Sequence, residues 1–149
     1  MKLELRNWVF KAGAKKIVHP QINEVFPVYW DPIYLEKWCN FVKAFGEKYD
    51  DDPNVEFIQI GRTGWFGEMI LGRTWKSGDI VGIREEWLNA GFTKDAYVEA
   101  YKKVLDAYIE DFQNKSVSIM LGNPMGDYDV KVEIVDYAVS YTHLTLPTN

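Results

Sequence analysis

Glu68 is the side chain of this sequence whose neighbours most favour acid–base chemistry. It ends the segment GWFGE at positions 64–68 and is followed by Met69. Apolar neighbours remove water from a carboxylate, and this desolvation raises its pKa towards the range that a general acid needs. Gly64 and Gly67 allow the backbone to bend close to a ligand. The alternative is that Glu68 only accepts hydrogen bonds from the backbone of its own loop.

Aromatic and basic residues near this segment are candidates for contacting a ligand. Aromatic residues make up 15% of the chain, an excess that suits either a packed core or the stacking of sugar rings. Trp30 and Trp65 can each offer a flat face to a sugar, or can pack beneath the loop. Arg62 can bond a hydroxyl or a carboxylate, or can orient Glu68. The candidate catalytic residue is Glu68, and the candidate substrate-binding residues are Trp30, Arg62 and Trp65.

Several other residues could in principle bind a ligand or a metal ion, but each has a simpler structural interpretation. Trp75 and Trp87 are weaker candidates for ligand contact than Trp30 and Trp65. His19 is predicted to be structural. A metal site is not expected, because the other histidine, His143, lies in a C-terminal segment that we expect to be non-native and Cys39 is not a suitable partner. The three carboxylates of Asp50–Asp52 are predicted to lie in a solvated turn, because adjacent Asp side chains do not converge on one point.

The composition is that of an ordinary globular domain. Of 149 residues, 47% are hydrophobic and 26% are charged, a balance that excludes intrinsic disorder. The net charge of −5 argues against a nucleic-acid partner held by a basic surface. No apolar run approaches the ~20 residues of a membrane-spanning helix, and the N-terminal residues lack the apolar core of a signal peptide. The single cysteine, Cys39, excludes a disulfide within the chain.

Helix and strand signals alternate along the chain. Asp31 followed by Pro32 is a strong helix start, because Asp caps the helix and proline suits its first position. Runs rich in β-branched and aromatic residues predict strands. The predicted elements are a short helix around Trp8–Ala12 ended by Gly13, a loop with short extended pieces over Ile17–Trp30, a helix from Asp31–Pro32, a strand over Val55–Ile60, a helix from Thr93, a strand over Val117–Leu121 and a helix from Val130 to Ala138.

The order of these elements predicts an α/β fold with parallel strands, because crossovers of this length bring strands side by side in the same direction. The helix-to-strand connections are tight, whereas the loop after Val55–Ile60 exceeds twenty residues. This asymmetry is typical of a (β/α)8 TIM barrel, whose long loops build the active site. We therefore expect about half of such a barrel, although a doubly wound sheet also fits the periodicity. No GxGxxG or GxxxxGK motif follows either strand, so no cofactor is expected.

Four segments between Trp8 and Glu68 carry a family resemblance. They are WVFKAGA at 8–14, PVYWDPIYL at 27–35, GEKYDDDPNV at 46–55 with IQIG at 58–61, and GWFGE at 64–68. Together they resemble passages of glycoside-hydrolase-like barrels that are described as β-galactosidase-like and lie near the family 42 glycosidases, and the last segment resembles the GxWGE signature of these barrels. The resemblance covers roughly Trp8 to Glu68.

This resemblance implies that Val55–Gly61 is the fourth barrel strand and that Glu68 occupies the acid/base position of a retaining glycosidase. Glycoside hydrolysis needs a second carboxylate, which the family places after a seventh strand, beyond half of a roughly 250-residue barrel. Gly67 stands where these barrels usually have Asn, so the usual hydrogen bond to the sugar 2-hydroxyl is missing. We therefore expect an inactive fragment of a carbohydrate-active hydrolase, with a carbohydrate as its partner. The alternative is a non-catalytic barrel that binds glycans or other ligands.

The last residues, VSYTHLTLPTN at 139–149, change character abruptly. They contain no Asp, Glu, Lys or Arg and resemble translated library-adapter sequence. We therefore expect a domain over residues 1–138 and a non-native tail over 139–149, with Leu144 and Leu146 outside the core. The alternative is a genuine polar tail. The sequence assigns neither a localisation nor an oligomeric state.

Overall fold

The computed structural model describes residues 4–20, 23–61, 69, 71 and 83–141, with side chains from residue 8 onward. Within these ranges five α-helices and two short sheets form the fold. The helices are α1 (Glu4–Lys11), α2 (Pro32–Tyr49), α3 (Arg84–Asn89), α4 (Lys94–Asp111) and α5 (Tyr128–Tyr141). The strands are β1 (Lys16–Val18), β2 (Val25–Pro27), β3 (Phe57–Ile60) and β4 (Ser116–Ile119), and a 3-10 turn (Pro124–Gly126) precedes α5.

Side-chain caps begin the two longest helices where the sequence predicts them. The buried Asp31 carboxylate accepts hydrogen bonds from the backbone N–H groups of Ile33 (3.1 Å) and Tyr34 (3.0 Å) at the start of α2. Thr93 Oγ1 accepts one from the N–H of Ala96 (3.0 Å) at the start of α4. Such caps satisfy backbone donors that have no partner inside the helix. Both predicted helix starts are confirmed.

Helices α2 and α4 pack against each other through the apolar faces that their three- and four-residue spacing predicts. Gly46 lies at the closest approach. A Cβ atom built on Gly46 would collide with the backbone oxygen of Asp111 and would lie 2.8 Å from the Asp111 Cβ. The backbone of α2 therefore comes closer to the end of α4 than any larger residue allows.

The parallel pairing of the two longer strands is confirmed. Strand β3 pairs with β4 in parallel, with Ile58 opposite Val117 and Ile60 opposite Ile119. Helix α4 lies between these strands in the chain, so the three elements form a β–α–β unit. Ile58 and Ile60 point into the core, while the alternate residues Phe57 and Gln59 are exposed.

The expected half of a TIM barrel is wrong. Strands β1 and β2 pair antiparallel, with Ile17 opposite Phe26, and form a two-stranded sheet of their own. Only six residues separate these strands, too few for the crossover that parallel pairing requires. Barrel strands are covered on both faces, whereas Phe57 on the outer face of β3 is 55% exposed. The described residues thus form a small α/β fold with one antiparallel and one parallel pair of strands.

The turn at Asp50–Asp52 joins the amino ends of β3 and β4. Asp50 accepts hydrogen bonds from the backbone N–H (2.9 Å) and the side-chain amide (3.0 Å) of Asn114, and that amide also donates to Asp51 (2.9 Å). Lys115 Nζ donates to the Asp52 carbonyl (2.8 Å). The carboxylates therefore hold a protein amide and tie together the two turns that lead from helix into strand.

Helix α5 packs on α4 and continues beyond the end that the sequence predicts. Val130 and Ile134 are fully buried. The helix extends past Ala138 as far as Tyr141, whose hydroxyl lies 2.8 Å from that of Tyr137. The rest of the expected tail, including both of its leucines, falls outside the described residues. None of the helices described is both long enough and apolar enough to cross a membrane.

Candidate functional site

Most of the predicted site residues fall outside the described part of the chain. Glu68, Arg62 and Trp65 are among them, and so is Trp75. Met69, the residue after Glu68, and Leu71 are described and are buried in the core. The predicted grouping of Glu68 with Arg62, Trp30 and Trp65 therefore stays a prediction.

The carboxyl side of the β3–β4 pair is partly described. Arg84, at the start of α3, donates a hydrogen bond from Nη1 to the carbonyl oxygen of Met125 (3.1 Å). This bond ties the residues that follow β3 to the turn that follows β4. Met125 is buried and adopts a positive φ of 55°, a conformation that costs energy for a residue with a side chain. Ligands of open α/β sheets bind beyond the carboxyl ends of the strands, which is the side fixed by this contact.

Trp30 is half-buried and held in one orientation. Its indole N–H donates to the carbonyl oxygen of Ala90 (3.1 Å). Its ring centroid lies 5.6 Å from that of Trp87 and 5.5 Å from that of Phe92. The indole N–H edge is occupied by this hydrogen bond, and part of the ring packs against Trp87 and Phe92. These contacts fix the orientation of the ring, so its remaining surface forms a rigid apolar wall.

That wall belongs to a groove along the outer surface of α4, between α2 and α5, which we name the α4 groove. Its volume is about 540 Å³, within the ~300–1,000 Å³ typical of small-molecule sites. Trp30 and Leu35 line one side and Tyr137 lines the other. The polar side chains that line it are Glu99, Lys102, Lys103 and Asp106.

Most of the polar groups in the α4 groove are fixed by one another. Tyr137 donates its hydroxyl proton to Asp106 (2.9 Å) and lies beside the Tyr141 hydroxyl. The hydrogen bond with Tyr141, burial and the nearby Asp106 carboxylate together raise the pKa of Tyr137, so its hydroxyl stays protonated. Lys102 Nζ bonds Glu99 (3.0 Å) and Glu133 beyond the groove.

Lys103 differs from Lys102, because its ammonium group forms no ion pair with any described residue. The α4 groove thus combines a fixed aromatic wall, two carboxylates and one ammonium group that remains available to a ligand. Such a set can stack a ring and exchange hydrogen bonds with hydroxyl groups. Over the described ranges, no three His, Cys, Asp or Glu side chains come close enough to hold a metal ion.

Trp87 and His19 belong to the interior. Trp87 is 1% exposed, and its ring stacks on that of Tyr29 with centroids 5.4 Å apart. His19 is completely buried, and its backbone N–H donates to the carbonyl oxygen of Glu24 (2.7 Å) beside the β1–β2 pair. The prediction that His19 is structural agrees with this placement.

Sequence reasoning named Trp30 but missed the other residues of the α4 groove. Glu99, Lys103 and Asp106 have the three- and four-residue spacing of one helix face, which is also the pattern of an ordinary solvated face. Tyr137 reaches the groove from a helix about thirty residues further along the chain. No signal in the sequence alone joins these residues.

No family model, curated protein or solved structure matches this chain. Its functional interpretation therefore depends on the residues and contacts described above.

Proposed function

We propose that this chain binds a carbohydrate in the α4 groove. The observation that carries the proposal is the half-buried Trp30, whose indole N–H is bonded to Ala90 and whose ring forms a fixed wall of the groove. An aromatic ring held in place binds a sugar face without the entropic cost of being ordered on binding. The same residue was the aromatic candidate that the sequence placed beside a helix start.

The charges in the α4 groove favour a neutral ligand rich in hydroxyl groups. Glu99 and Asp106 provide two negative charges, and Lys102 and Lys103 provide two positive charges. A groove whose charges balance has no net attraction for an ion, whereas its carboxylates can accept hydrogen bonds from a ligand and the Lys103 ammonium group can donate them. Sugars present both kinds of hydroxyl partner around an apolar ring face.

Binding can be tested by calorimetric titration of the chain with a panel of neutral oligosaccharides. We expect Trp30→Ala to weaken binding about tenfold, since aromatic pairs contribute ~0.5–1.5 kcal/mol beyond simple burial and tenfold corresponds to ~1.4 kcal/mol. Asp106→Asn, which keeps its shape, should weaken binding as well. Trp8→Ala is the control, because this tryptophan on α1 does not line the groove. Thermal melts establish that each variant is folded.

A chain that binds no member of the panel would overturn the proposal. Binding that Trp30→Ala and Trp8→Ala weaken equally would also overturn it, because the groove would then have no special role.

A second candidate function, hydrolysis of a glycosidic bond, is favoured by the β3–α4–β4 unit. A segment of more than twenty residues leaves the carboxyl end of β3 and carries Glu68. Catalytic and binding residues of α/β proteins concentrate beyond this end of parallel strands. In this proposal the chain is part of a carbohydrate-active hydrolase, Glu68 is the general acid/base, and Arg62 and Trp65 contact the substrate. The second carboxylate is not assigned.

Because this chain alone is expected to be inactive, hydrolysis is tested on a longer protein that contains it and supplies the second carboxylate, with a panel of nitrophenyl glycosides and natural disaccharides. Glu68→Gln should reduce turnover of natural substrates by about a hundred- to ten-thousand-fold, the usual contribution of a general acid. Activated nitrophenyl substrates should lose less, because their leaving groups need little protonation. Glu85→Gln on the exposed surface of α3 is the control. Binding without turnover supports the first proposal alone, and turnover that survives Glu68→Gln removes this residue from the mechanism.

A further inference from the structure

Helix α5 has a second apolar face that points away from the rest of the fold. Its inner face carries Val130 and Ile134, which are fully buried. Four apolar residues form a stripe on the opposite side, which we name the outer stripe: Tyr128, Val132, Val135 and Val139. Their spacing of four, three and four residues is that of a helix–helix contact seam.

The outer stripe is exposed to solvent along most of its length. Tyr128 is 60% exposed, Val132 36% and Val139 59%, while Val135 is half-buried. Single exposed apolar residues are common on protein surfaces, but a contiguous stripe of them marks an interaction surface.

Opposite charges flank the two sides of the outer stripe. Since successive helical residues turn by about 100°, Lys131 lies on one side, and Asp129 and Asp136 lie on the other. Neither Lys131 nor Asp136 forms an ion pair with a described residue, although the Lys131 ammonium group lies 4.3 Å from the ring centroid of Tyr128 in the stripe. Glu133, on the inner half of the helix, is by contrast paired with Lys94 and Lys102.

We infer that the outer stripe binds the outer stripe of a second copy of this chain in a parallel, two-fold symmetric pair of helices. Parallel pairing places Val132 against Val132 of the partner subunit. It also brings Lys131 to Asp136 of the partner subunit, five residues further along, which is the spacing of charge pairs across parallel helices. By two-fold symmetry this charge pair forms twice.

Charge also decides the direction of the pair. In an antiparallel pair, the acidic side carrying Asp129 and Asp136 would face the same acidic side of the partner, and Lys131 would face a like charge. Like charges that face each other across an interface destabilise that pairing, whereas opposite charges that face each other stabilise it and fix its register. The parallel arrangement is the one that this sequence favours.

The size of the contact predicts a weak dimer. Helix α5 has 14 residues and is therefore ~21 Å long. One helix pair of this length buries less than the ~1,200–2,000 Å² of a stable standard interface. The association is therefore best followed over a range of about 10 μM to 1 mM, where complexes with Kd values in this range are partly populated.

Sedimentation velocity over this range tests the inference. The parent chain should shift from monomer towards dimer as concentration rises, and Val139→Lys should keep it monomeric throughout. Phe57→Lys is the matched control, because this residue of β3 is comparably exposed, at 55%, but lies off the stripe. These side chains are exposed, so the variants should retain the melting temperature of the parent.

Charge exchange tests the direction of the pair. Lys131→Glu alone and Asp136→Lys alone should each weaken the dimer at least severalfold, and the two together should restore it. Strengthening by Asp136→Lys alone would show an antiparallel pair and overturn the parallel arrangement. A parent chain that remains monomeric at the highest concentration, or a dimer unaffected by Val139→Lys, would overturn the inference as a whole.

Discussion

Replacing Gly46 by alanine tests how closely α2 and α4 approach. A Cβ atom at this position would overlap the backbone oxygen of Asp111 and would lie 2.8 Å from the Asp111 Cβ. A backbone oxygen cannot rotate away as a flexible side chain can. The added methyl group must therefore push the two helices apart and disturb the packed interface between them.

Two effects of opposite sign determine the outcome. Alanine is favoured over glycine inside a helix by about 1 kcal/mol, which alone would stabilise the protein. Overpacking a core costs about 1–3 kcal/mol, and the rigid neighbour of Gly46 puts this site at the upper end of that range. The net loss is therefore ~2 kcal/mol, which lowers the melting temperature of a chain of about 150 residues by roughly 4–8 °C.

Urea unfolding and calorimetry of Gly46→Ala measure this loss directly. Ala44→Gly is the control, because Ala44 is exposed on the same helix and its replacement should cost only the propensity difference of about 1 kcal/mol. A Gly46→Ala variant that melts at or above the melting temperature of the parent would refute the close approach of α2 and α4. The higher helix propensity of alanine would then be the only effect of the substitution.

Three further substitutions are predicted to change stability in defined directions. Asp31→Ala should lower the free energy of unfolding in urea by about 1–2 kcal/mol, because it removes the cap of α2. The loss should exceed that of Thr93→Ala at the exposed cap of α4, and a larger loss for Thr93→Ala would contradict the role of burial. Burial raises the pKa of Asp111 above its ordinary value of 3.8, so the stability from its protonated form is lost as pH rises through this folded-state pKa. Asp111→Asn should therefore raise the melting temperature at pH 7 but not at about pH 3, and an equal rise at both pH values would show another cause. Asn114→Ala should lower the free energy of unfolding by about 1 kcal/mol, because it removes the side-chain amide that donates to Asp50. In a double-mutant cycle, Asn114→Ala and Asp50→Ala together should lose less than the sum of the two single losses.

Local signals in the sequence predict much of this fold. The Asp31 and Thr93 caps begin α2 and α4 where expected, because a cap depends on a few adjacent residues. Strands β3 and β4 pair in parallel because a helix separates them. Strands β1 and β2 have three residues each, too few for a periodic pattern, so their antiparallel pairing could not be predicted.

The expected barrel was wrong for a different physical reason. A β–α–β unit is common to closed barrels and open sheets, so the pattern that correctly predicts β3, α4 and β4 does not predict how a sheet closes. The aromatic excess likewise has two explanations. On α2 the rings run from Tyr34 to Tyr49 with neighbouring centroids 4.8–6.0 Å apart, and this row packs against the core.

The α4 groove could not be predicted because it depends on tertiary packing. Trp30, Asp106 and Tyr137 come from three separate parts of the chain. In the sequence each has an ordinary interpretation as a packed aromatic or a solvated charge. Only the packing of α2 and α5 on either side of α4 brings them to one surface.

The contact between Asp50 and Asn114 also has a consequence for the kinetics of folding. It joins residues 64 positions apart. Closing so long a segment costs conformational entropy, so we expect this contact to form after the folding transition state. Interactions that are absent from the folding transition state slow unfolding without speeding folding. The contact between Asp50 and Asn114 therefore determines how long the chain stays folded. Its loss should increase the unfolding rate and leave the refolding rate unchanged.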